Sequence, residues 1–596
     1  MSSQLFSINP SCLSSCTPPA VLSPPFSLPL HHCSKPFTGV RKSEAKDNPV
    51  NYDFRLRCKA ETQDCPVLKW HASVEDDNVK TALKKESMED VNGISVSPNG
   101  GQCPARLVSD NTDLKVSIPR ITGQKLLPGP WKLPFIGNLH NLAGSLPHRA
   151  LSELARKYGP VMHLQLGEIS TVVVSSPATA KEVLRTQDVI FGTRPLLLAS
   201  DILTYGWQGI AMTPTNDYWR EMRKALMMEL LTAKRVQYFS FIRYDMVNNL
   251  IESIRSSAGS PINLTKEIFH TVSSITCRAA IGAQFKDQDE FIELGNKLFE
   301  LSGGFDLADL FPSVELIHSV TGLKEKLVDI RQRSSKILDT VINEHKENRR
   351  RRAEEGKIQK EQDEDLVDIL LRLQESGTLD IPITTESMKA VLYDVFAAGT
   401  DTSSVTVDWT MAELLRNPRV LKKLQAEIRQ VFKGKKEIEE SDIEKLSYLK
   451  LVLKETFRLH IPAPFLLPRE ATETCEIDGF EIPLKTQVLV NAWAIGRDPE
   501  LWHNAESYEP ERFINSDIEY KGNNFELLPF GAGKRMCPGI TYGMANVELP
   551  LVKLLYHFNW QLPDGMVPED VDMTELFGTT VSRKNSLRVV ATPYND

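Results

Sequence analysis

The feature that most limits what this chain can fold into is one cysteine in a glycine-rich turn, Phe530–Gly539. Cys537 comes just before residues 541–557, where apolar side chains recur at helical spacing, so its thiol is predicted at the start of a helix. Backbone N–H groups of the turn and of the helix start favour a thiolate there. Such a thiolate acts as a nucleophile, a redox sensor or a metal ligand.

The fixed positions of this turn resemble the haem-binding signature of the cytochrome P450 family, F-x-x-G-x-R-x-C-x-G. All five are filled, by Phe530, Gly533, Arg535, Cys537 and Gly539. The resemblance implies that Cys537 is the axial ligand of haem iron and that Arg535 neutralises a haem propionate. It also implies that both glycines let the backbone approach the macrocycle and aim N–H groups at sulfur. A buried structural cysteine is the alternative that the residues leave open.

A long helix is predicted to end before Pro418. Residues 398–402 within it match the A-G-x-D-T motif with which the same family activates oxygen. The resemblance implies that Gly399 leaves room for O2, that the Thr402 hydroxyl holds water beside it, and that Asp401 relays protons from bulk water. A packing glycine beside a surface aspartate and threonine is the alternative.

Trp219 and Arg223 are spaced i and i+4, so they share one face of a predicted helix. The pair matches the W-x-x-x-R motif of the family, which implies that both reach haem propionates, where a planar cation pairs well with a carboxylate. The resemblance places Arg469 near a propionate as well. An ordinary Trp–Arg helix surface is the alternative.

Glu455 and Arg458 carry opposite charges at i and i+3. With Arg512 they match the E-x-x-R and P-x-R-F motifs of the family. The resemblance implies a three-member charge network that fixes the loop carrying Cys537. A surface ion pair is the alternative for the first two residues.

Two apolar segments are expected to line a substrate pocket. The resemblance places both beside the distal face of haem, and they contribute Phe465, Leu466, Leu467, Leu576, Phe577 and Val581. Such a set favours a hydrocarbon-rich substrate. Packing in an ordinary core explains the same residues equally well.

The chain has 596 residues, more than one ordinary domain needs. Residues 1–44 are rich in serine and proline and have no acid before residue 44, which is the composition of a plastid transit peptide; an unprocessed tail is the alternative. Residues 45–117 are polar, and short pieces resemble the amino-terminal region of plant copalyl diphosphate synthases, although no D-x-D-D motif follows. Residues 118–596 are expected to form the catalytic domain.

Composition limits which partners the protein can bind and where in the cell it is expected. A net charge of -8 argues against general nucleic-acid binding. Six of the nine cysteines precede residue 116, so the body of the chain is not a disulfide scaffold. No stretch reaches the roughly 20 apolar residues that span a bilayer. We therefore expect a plastid location, with peripheral contact at the endoplasmic-reticulum membrane as the alternative.

These resemblances together predict a monomeric haem-thiolate monooxygenase, mainly α with a small β region. Its expected cofactors are haem b, O2 and NADPH, with electrons passed by NADPH–cytochrome P450 reductase or by a plastid ferredoxin. A diterpenoid is the expected substrate and a fatty acid the alternative. A haem isomerase or dehydratase that consumes peroxide, and a haem-binding protein without turnover, are the rival functions.

Overall fold

A computed structural model of the protein describes residues 127–594, except 283–284, 302–304, 357–363 and 436. The predicted transit peptide and the polar extension lie outside the described residues. No helix in the described part of the chain is both long enough and apolar enough to cross a membrane.

Helices make up most of the described chain. They are α1 (Pro147–Tyr158), α2 (Pro177–Lys181), α3 (Leu198–Leu203), α4 (Asp217–Glu229), α5 (Ala233–Tyr238), α6 (Ser240–Ser256), α7 (Leu264–Ile281), α8 (Gln288–Leu301), α9 (Leu307–Leu310), α10 (Glu315–Thr321), α11 (Leu323–Glu354), α12 (Leu366–Ser376), α13 (Thr385–Arg416), α14 (Pro418–Phe432), α15 (Glu440–Ile443), α16 (Ser447–Leu459), α17 (Ala492–Ile495) and α18 (Ile540–His557).

The strands are short. They are β1 (Val161–Leu166), β2 (Ile169–Val174), β3 (Pro261–Asn263), β4 (Arg469–Glu470), β5 (Cys475–Ile477), β6 (Phe480–Ile482), β7 (Gln487–Val490), β8 (Phe558–Gln561), β9 (Glu575–Phe577), β10 (Val581–Arg583) and β11 (Arg588–Pro593). The predicted fold class, mainly α with a small β region, is confirmed.

Helix α13 lies at the centre of the helical body and packs against α7, α16 and α18. Its start is fixed by a capping box, in which Thr384 and Ser387 each satisfy the backbone N–H of the other. Its end is fixed by Pro418, which begins α14. The predicted end of this helix, before Pro418, is confirmed. Most of its residues are buried, whereas Ala398 near its middle is exposed.

The largest sheet has four strands in the order β1-β2-β7-β4. β1 and β2 form an antiparallel hairpin in which Val161 pairs with Val174, and β2 runs parallel to β7. A separate hairpin, β9–β10, pairs Phe577 with Val581. This hairpin packs against α13 and carries residues of the candidate site.

Candidate active site

Cys537 lies two residues before the cap of α18. Its backbone N–H donates to the carbonyl of Phe530 across 3.0 Å, which closes the turn. The backbone N–H of Gly539 donates to its sulfur, and a Cβ built on Gly539 would lie 4.0 Å from Sγ. The glycine thus lets the helix start approach the sulfur closely.

The sulfur faces an internal space. Burial raises the pKa of the Cys537 thiol, whereas the N–H of Gly539 and the guanidinium of Arg223 lower it. The side chain nevertheless has accessible surface, although protein surrounds it. A thiol that is deep in the protein and still accessible is suited to bind a metal ion held in that space, and metal coordination deprotonates it.

Gly533 packs closely against another segment. Its φ is +72°, and a Cβ there would lie 2.0 Å from the carbonyl oxygen of Leu184. The packing of the turn against the segment after α2 therefore excludes a side chain at this position. The next residue, Lys534, donates its backbone N–H to Asp188 across 2.6 Å.

Four arginines gather beside the cysteine turn, and we call them the guanidinium cluster: Arg194, Arg223, Arg469 and Arg535. Burial lowers the pKa of each, and neighbouring guanidiniums lower the pKa of Arg194 and of Arg535 further. The pKa of Arg535 falls to about 9. Asp188, which bonds Arg469 across 3.2 Å, is the one described carboxylate that offsets this charge. The cluster is suited to bind an anion with more than one carboxylate.

The cluster is held in place mostly by backbone carbonyls. Arg535 donates to the carbonyls of Gly192 and Thr213, and its guanidinium lies 3.8 Å from the ring of Trp219. Arg223 donates to the carbonyl of Met536 in the cysteine turn. Arg469 also reaches that turn, at the carbonyl of Ala532. Sequence reasoning placed three of the four arginines here and missed Arg194, which matches none of the motifs considered.

Trp219 provides a test of whether haem fits. The side chain is buried, and its Nε1–H has no acceptor among the described residues. A buried N–H donor without an acceptor, next to several positive charges, destabilises the fold unless a bound acceptor group lies beside it. Haem has two propionate carboxylates for these donors and an iron for the nearby thiol, so the residues present fit haem.

The turn 398–402 of α13 lies on the other side of the same region. Ala398 is exposed although α13 runs through the interior, and Thr402 is half-buried. Thr402 Oγ1 donates to the Ala398 carbonyl across 2.7 Å. Tyr542, five residues after Cys537, lies next to this turn. The cysteine and the turn of α13 therefore lie in one part of the fold.

Gly399 lies where three helices meet. A Cβ built on it would lie 3.2 Å from Thr276 and 3.4 Å from Tyr542. The missing side chain lets α7, α13 and α18 pack closely, which is the alternative that the sequence left open. The exposed position beside it is Ala398.

Asp401 points away from solvent. Its Oδ2 accepts a hydrogen bond from Thr580 Oγ1 across 2.5 Å, and both residues are buried. Burial raises the pKa of Asp401 to about 6, and the bond from Thr580 opposes the rise. The carboxyl can therefore hold or release a proton near neutral pH. No sequence motif pointed to Thr580.

Glu455, Arg458 and Arg512 form the network that their spacing suggested. Glu455 and Arg458 share two bonds of 2.8 Å with both side chains fully buried, and Arg512 donates to Glu455 across 3.0 Å. Further donors of Arg458 bind the carbonyls of Gly496, Ala505 and Ser507. The network thus fastens residues 496–512. Its described contacts do not include the cysteine turn, which it was expected to fix.

An apolar cavity opens beside this region. Phe465, Leu466, Leu467 and Phe577 line it, as the sequence suggested, together with Leu310, Leu489 and Thr579. Two other expected members do not line it: Leu576 is exposed to solvent and Val581 is buried in the hairpin. Consecutive residues of a strand point to opposite faces, which explains why Phe577 reaches the cavity and Leu576 does not.

Three features of this site define the class of haem-thiolate proteins: a thiol just before a helix start, a cluster of guanidiniums beside it, and an apolar cavity. Comparison with known proteins agrees. The cytochrome P450 family model matches residues 127–588. Premnaspirodiene oxygenase of Hyoscyamus muticus is 52% identical over 79% of this chain and 93% of its own length, and 5-epiaristolochene 1,3-dihydroxylase of Nicotiana tabacum is 51% identical over 79% and 93%.

A solved structure of a zebra fish cytochrome P450 with progesterone superimposes with a TM-score of 0.66 at 25% identity, covering 75% of this chain and 99% of that one. The chain belongs to the cytochrome P450 family and is a haem monooxygenase. Its family uses O2, electrons derived from NAD(P)H and a redox partner, and acts on hydrophobic substrates.

Proposed function

We propose that this monooxygenase inserts one oxygen atom of O2 into an apolar terpenoid. The observation that carries the proposal is the apolar cavity of Phe465, Leu467 and Phe577, since hydrocarbon surface gains most from burial against such walls. Two relatives whose names specify terpenoid oxygenation support it. The front-end resemblance to diterpenoid enzymes favours a diterpenoid within this class.

Each group of residues in the site has a separate role. Cys537 binds iron through sulfur, and the guanidinium cluster with Trp219 holds the two propionates. Bound haem b supplies the oxygen chemistry, with electrons from NADPH delivered by NADPH–cytochrome P450 reductase or a plastid ferredoxin. The lining residues orient the substrate and exclude water from it.

Protons must reach the buried oxygen during turnover, and two residues of α13 are suited to carry them. The carboxyl of Asp401 has a pKa of about 6, so it exchanges a proton readily at physiological pH. Thr402, the next residue, is half-buried, and its hydroxyl donates to the carbonyl of Ala398. We therefore assign the relay to Asp401 and the final placement of water to Thr402.

Turnover with a panel of substrates tests this function. The full chain with haem, a plant reductase and NADPH is given premnaspirodiene, 5-epiaristolochene, a diterpene hydrocarbon and a fatty acid. We expect an oxygenated terpenoid product. The proposal fails if only the fatty acid is oxygenated, or if no substrate yields product while NADPH is consumed.

Replacing Thr402 with alanine is expected to lower the product formed per NADPH by about tenfold or more, because protons no longer arrive in step with electrons. Haem content should not change. Thr410→Ala is the matched control, since Thr410 makes the same bond to the carbonyl four residues earlier but is fully buried. Equal product yield in Thr402→Ala and the parent would remove Thr402 from the relay.

We also propose that residues 1–44 direct the chain to plastids and that the catalytic domain touches a membrane. A rigid turn supports the contact: Trp131 is 74% exposed and Phe135 is 93% exposed, while buried Asn138 donates to the carbonyls of Pro130 and Trp131. Exposed aromatic side chains favour the membrane interface. Imaging and fractionation of a carboxyl-terminal fluorescent fusion in plant cells should find plastid membranes; an endoplasmic-reticulum pattern contradicts the targeting, and a soluble fraction contradicts the contact.

A further inference from the structure

Three aspartates form a stripe along α13: Asp401 and Asp408 are buried, and Asp394 is half-buried. They are spaced seven residues apart, which is close to two helical turns, so they share one face, with neighbouring members about 10.5 Å apart. Burial raises the pKa of each. Three carboxyls at such positions need partners.

Each aspartate of the stripe accepts hydrogen bonds from a different segment of the chain. Asp394 accepts from the backbone N–H groups of Ile210 and Ala211, in the segment whose carbonyls bind the guanidinium cluster. Asp408 accepts from Thr265 on α7 across 2.6 Å. Asp401 accepts from Thr580, and Thr580 belongs to the loop of the β9–β10 hairpin.

The position of Thr580 is set by bonds on the residue that follows it. The N–H of Val581 donates to the carbonyl of Pro462 across 2.8 Å, and the carbonyl of Val581 accepts from Trp409 Nε1 across 2.9 Å. Trp409 is itself fully buried on α13. The hairpin is thus fastened at the residue that follows Thr580, so the hydroxyl of Thr580 meets Asp401 in a fixed geometry.

The same hairpin lines the substrate cavity. Phe577 and Thr579 both contribute to the cavity wall, and Thr579 is the chain neighbour of Thr580. A single short hairpin therefore contacts the space for the substrate on one side and the buried acid on the other.

We propose that Thr580 is a positioning residue that holds the carboxyl of Asp401 in one orientation and links that orientation to the wall of the substrate cavity. The inference rests on the proposed relay function of Asp401. Thr580 touches no reacting atom; it acts through the aspartate. A carboxylate held by a hydroxyl donor presents its other oxygen to the proton path in a defined direction.

The hydrogen bond also adjusts the acidity of Asp401. Of the described residues, no charged side chain from the elements packed on α13 shifts its pKa, which responds to burial and to the Thr580 hydroxyl. Arg583, at the end of the hairpin, acts on Asp408 instead, and Asp394 and Asp408 are two turns away. Because the hydroxyl stabilises the charged form, removing it should raise the pKa of Asp401.

The test compares Thr580→Val, Thr580→Ala and Thr580→Ser in the full chain with haem bound. The first readout, in the resting protein, is the infrared C=O band of a protonated buried carboxyl followed against pH; the Asp401→Asn variant identifies the band. We expect a midpoint near 6 in the parent. In the valine and alanine variants it should rise by about one pH unit, as for the loss of one bond to a carboxylate. Serine should restore the parent midpoint.

The second readout is product formed per NADPH against pH. It should fall several-fold near neutral pH in Thr580→Val, with the pH profile displaced in the same direction as the infrared midpoint, and recover in Thr580→Ser. Thr265→Val is the matched control, because it removes the same hydroxyl-to-aspartate bond at Asp408, outside the site. It should leave the midpoint and the product yield of the parent unchanged.

The inference is overturned if the valine and alanine variants bind haem and keep the midpoint and product yield of the parent. It is also overturned if Thr265→Val reproduces their changes, since the effect would then be a general loosening of α13. The relay function is judged separately: full product yield in Asp401→Asn would remove it, while a midpoint that depends on Thr580 would still support the positioning of the carboxyl.

Discussion

Replacing Cys537 with alanine is expected to abolish oxygenation and the spectrum of thiolate-bound haem. Among the described cysteines, Cys277 is fully buried and Cys475 belongs to strand β5, where it pairs with Ile482. Of these three, only Cys537 lies before a helix start with a backbone N–H aimed at its sulfur. Product formation with NADPH and reductase should fall to background.

Cys475→Ala is the matched control for this prediction. Its side chain is partly exposed, and burial raises the pKa of its thiol to about 11, so it is a poor ligand at neutral pH. The control should keep the parent spectrum and turnover. Turnover in Cys537→Ala at the rate of the parent would show that another residue binds the iron.

Replacing Arg458 with alanine is expected to destabilise the fold by about 3–5 kcal/mol, the range for breaking a buried ion pair by removing one partner. The carboxylate of Glu455 would keep Arg512 and the backbone N–H of Glu509, which both donate to Oε1, while Oε2 would lose the donor that Arg458 provides. The carbonyls of three residues between 496 and 507 would lose a charged donor at the same time. Urea unfolding followed by circular dichroism measures the change.

Arg419→Ala is the surface counterpart. Arg419 makes two bonds to Glu511, but its side chain is 63% exposed, so water replaces the partner at little cost. We expect a loss of 1 kcal/mol or less for this variant, as for other exposed pairs. A loss of that small size for Arg458→Ala would contradict the structural role assigned to the Glu455 network.

Local sequence was sufficient to predict much of this fold and part of the site. The cysteine turn, the start and end of α13 and the Glu455–Arg458 pair depend on residues within a few positions of one another. Their geometry follows from helix spacing, capping and proline. The helices predicted at these places were accordingly confirmed.

The other parts of the site depend on packing between distant segments. Arg194 reaches the carbonyls of Leu467 and Pro468 across more than 270 positions, and Thr580 reaches Asp401 across 179. No short motif records such pairs. One signal was available: aspartates every seven residues along one face of a central helix predict acids that need partners.

At two glycines of the motifs, the packing of the protein itself disfavours a side chain. Gly533 and Gly399 were both expected to make room for a ligand. The structure shows that a side chain on Gly533 would strike the Leu184 carbonyl and that one on Gly399 would crowd Thr276. Sequence shows that a side chain is missing, whereas only the packed neighbours show what approaches.

The most direct measurement is the absorption spectrum of the ferrous carbon-monoxide complex of the purified chain, reconstituted with haem. Sulfur ligation by Cys537 predicts a Soret band at the long wavelength that is characteristic of thiolate-bound haem, and the loss of that band in Cys537→Ala. An imidazole-type band in the parent protein, or a parent that binds no haem at all, would contradict the assignment of Cys537 as the iron ligand.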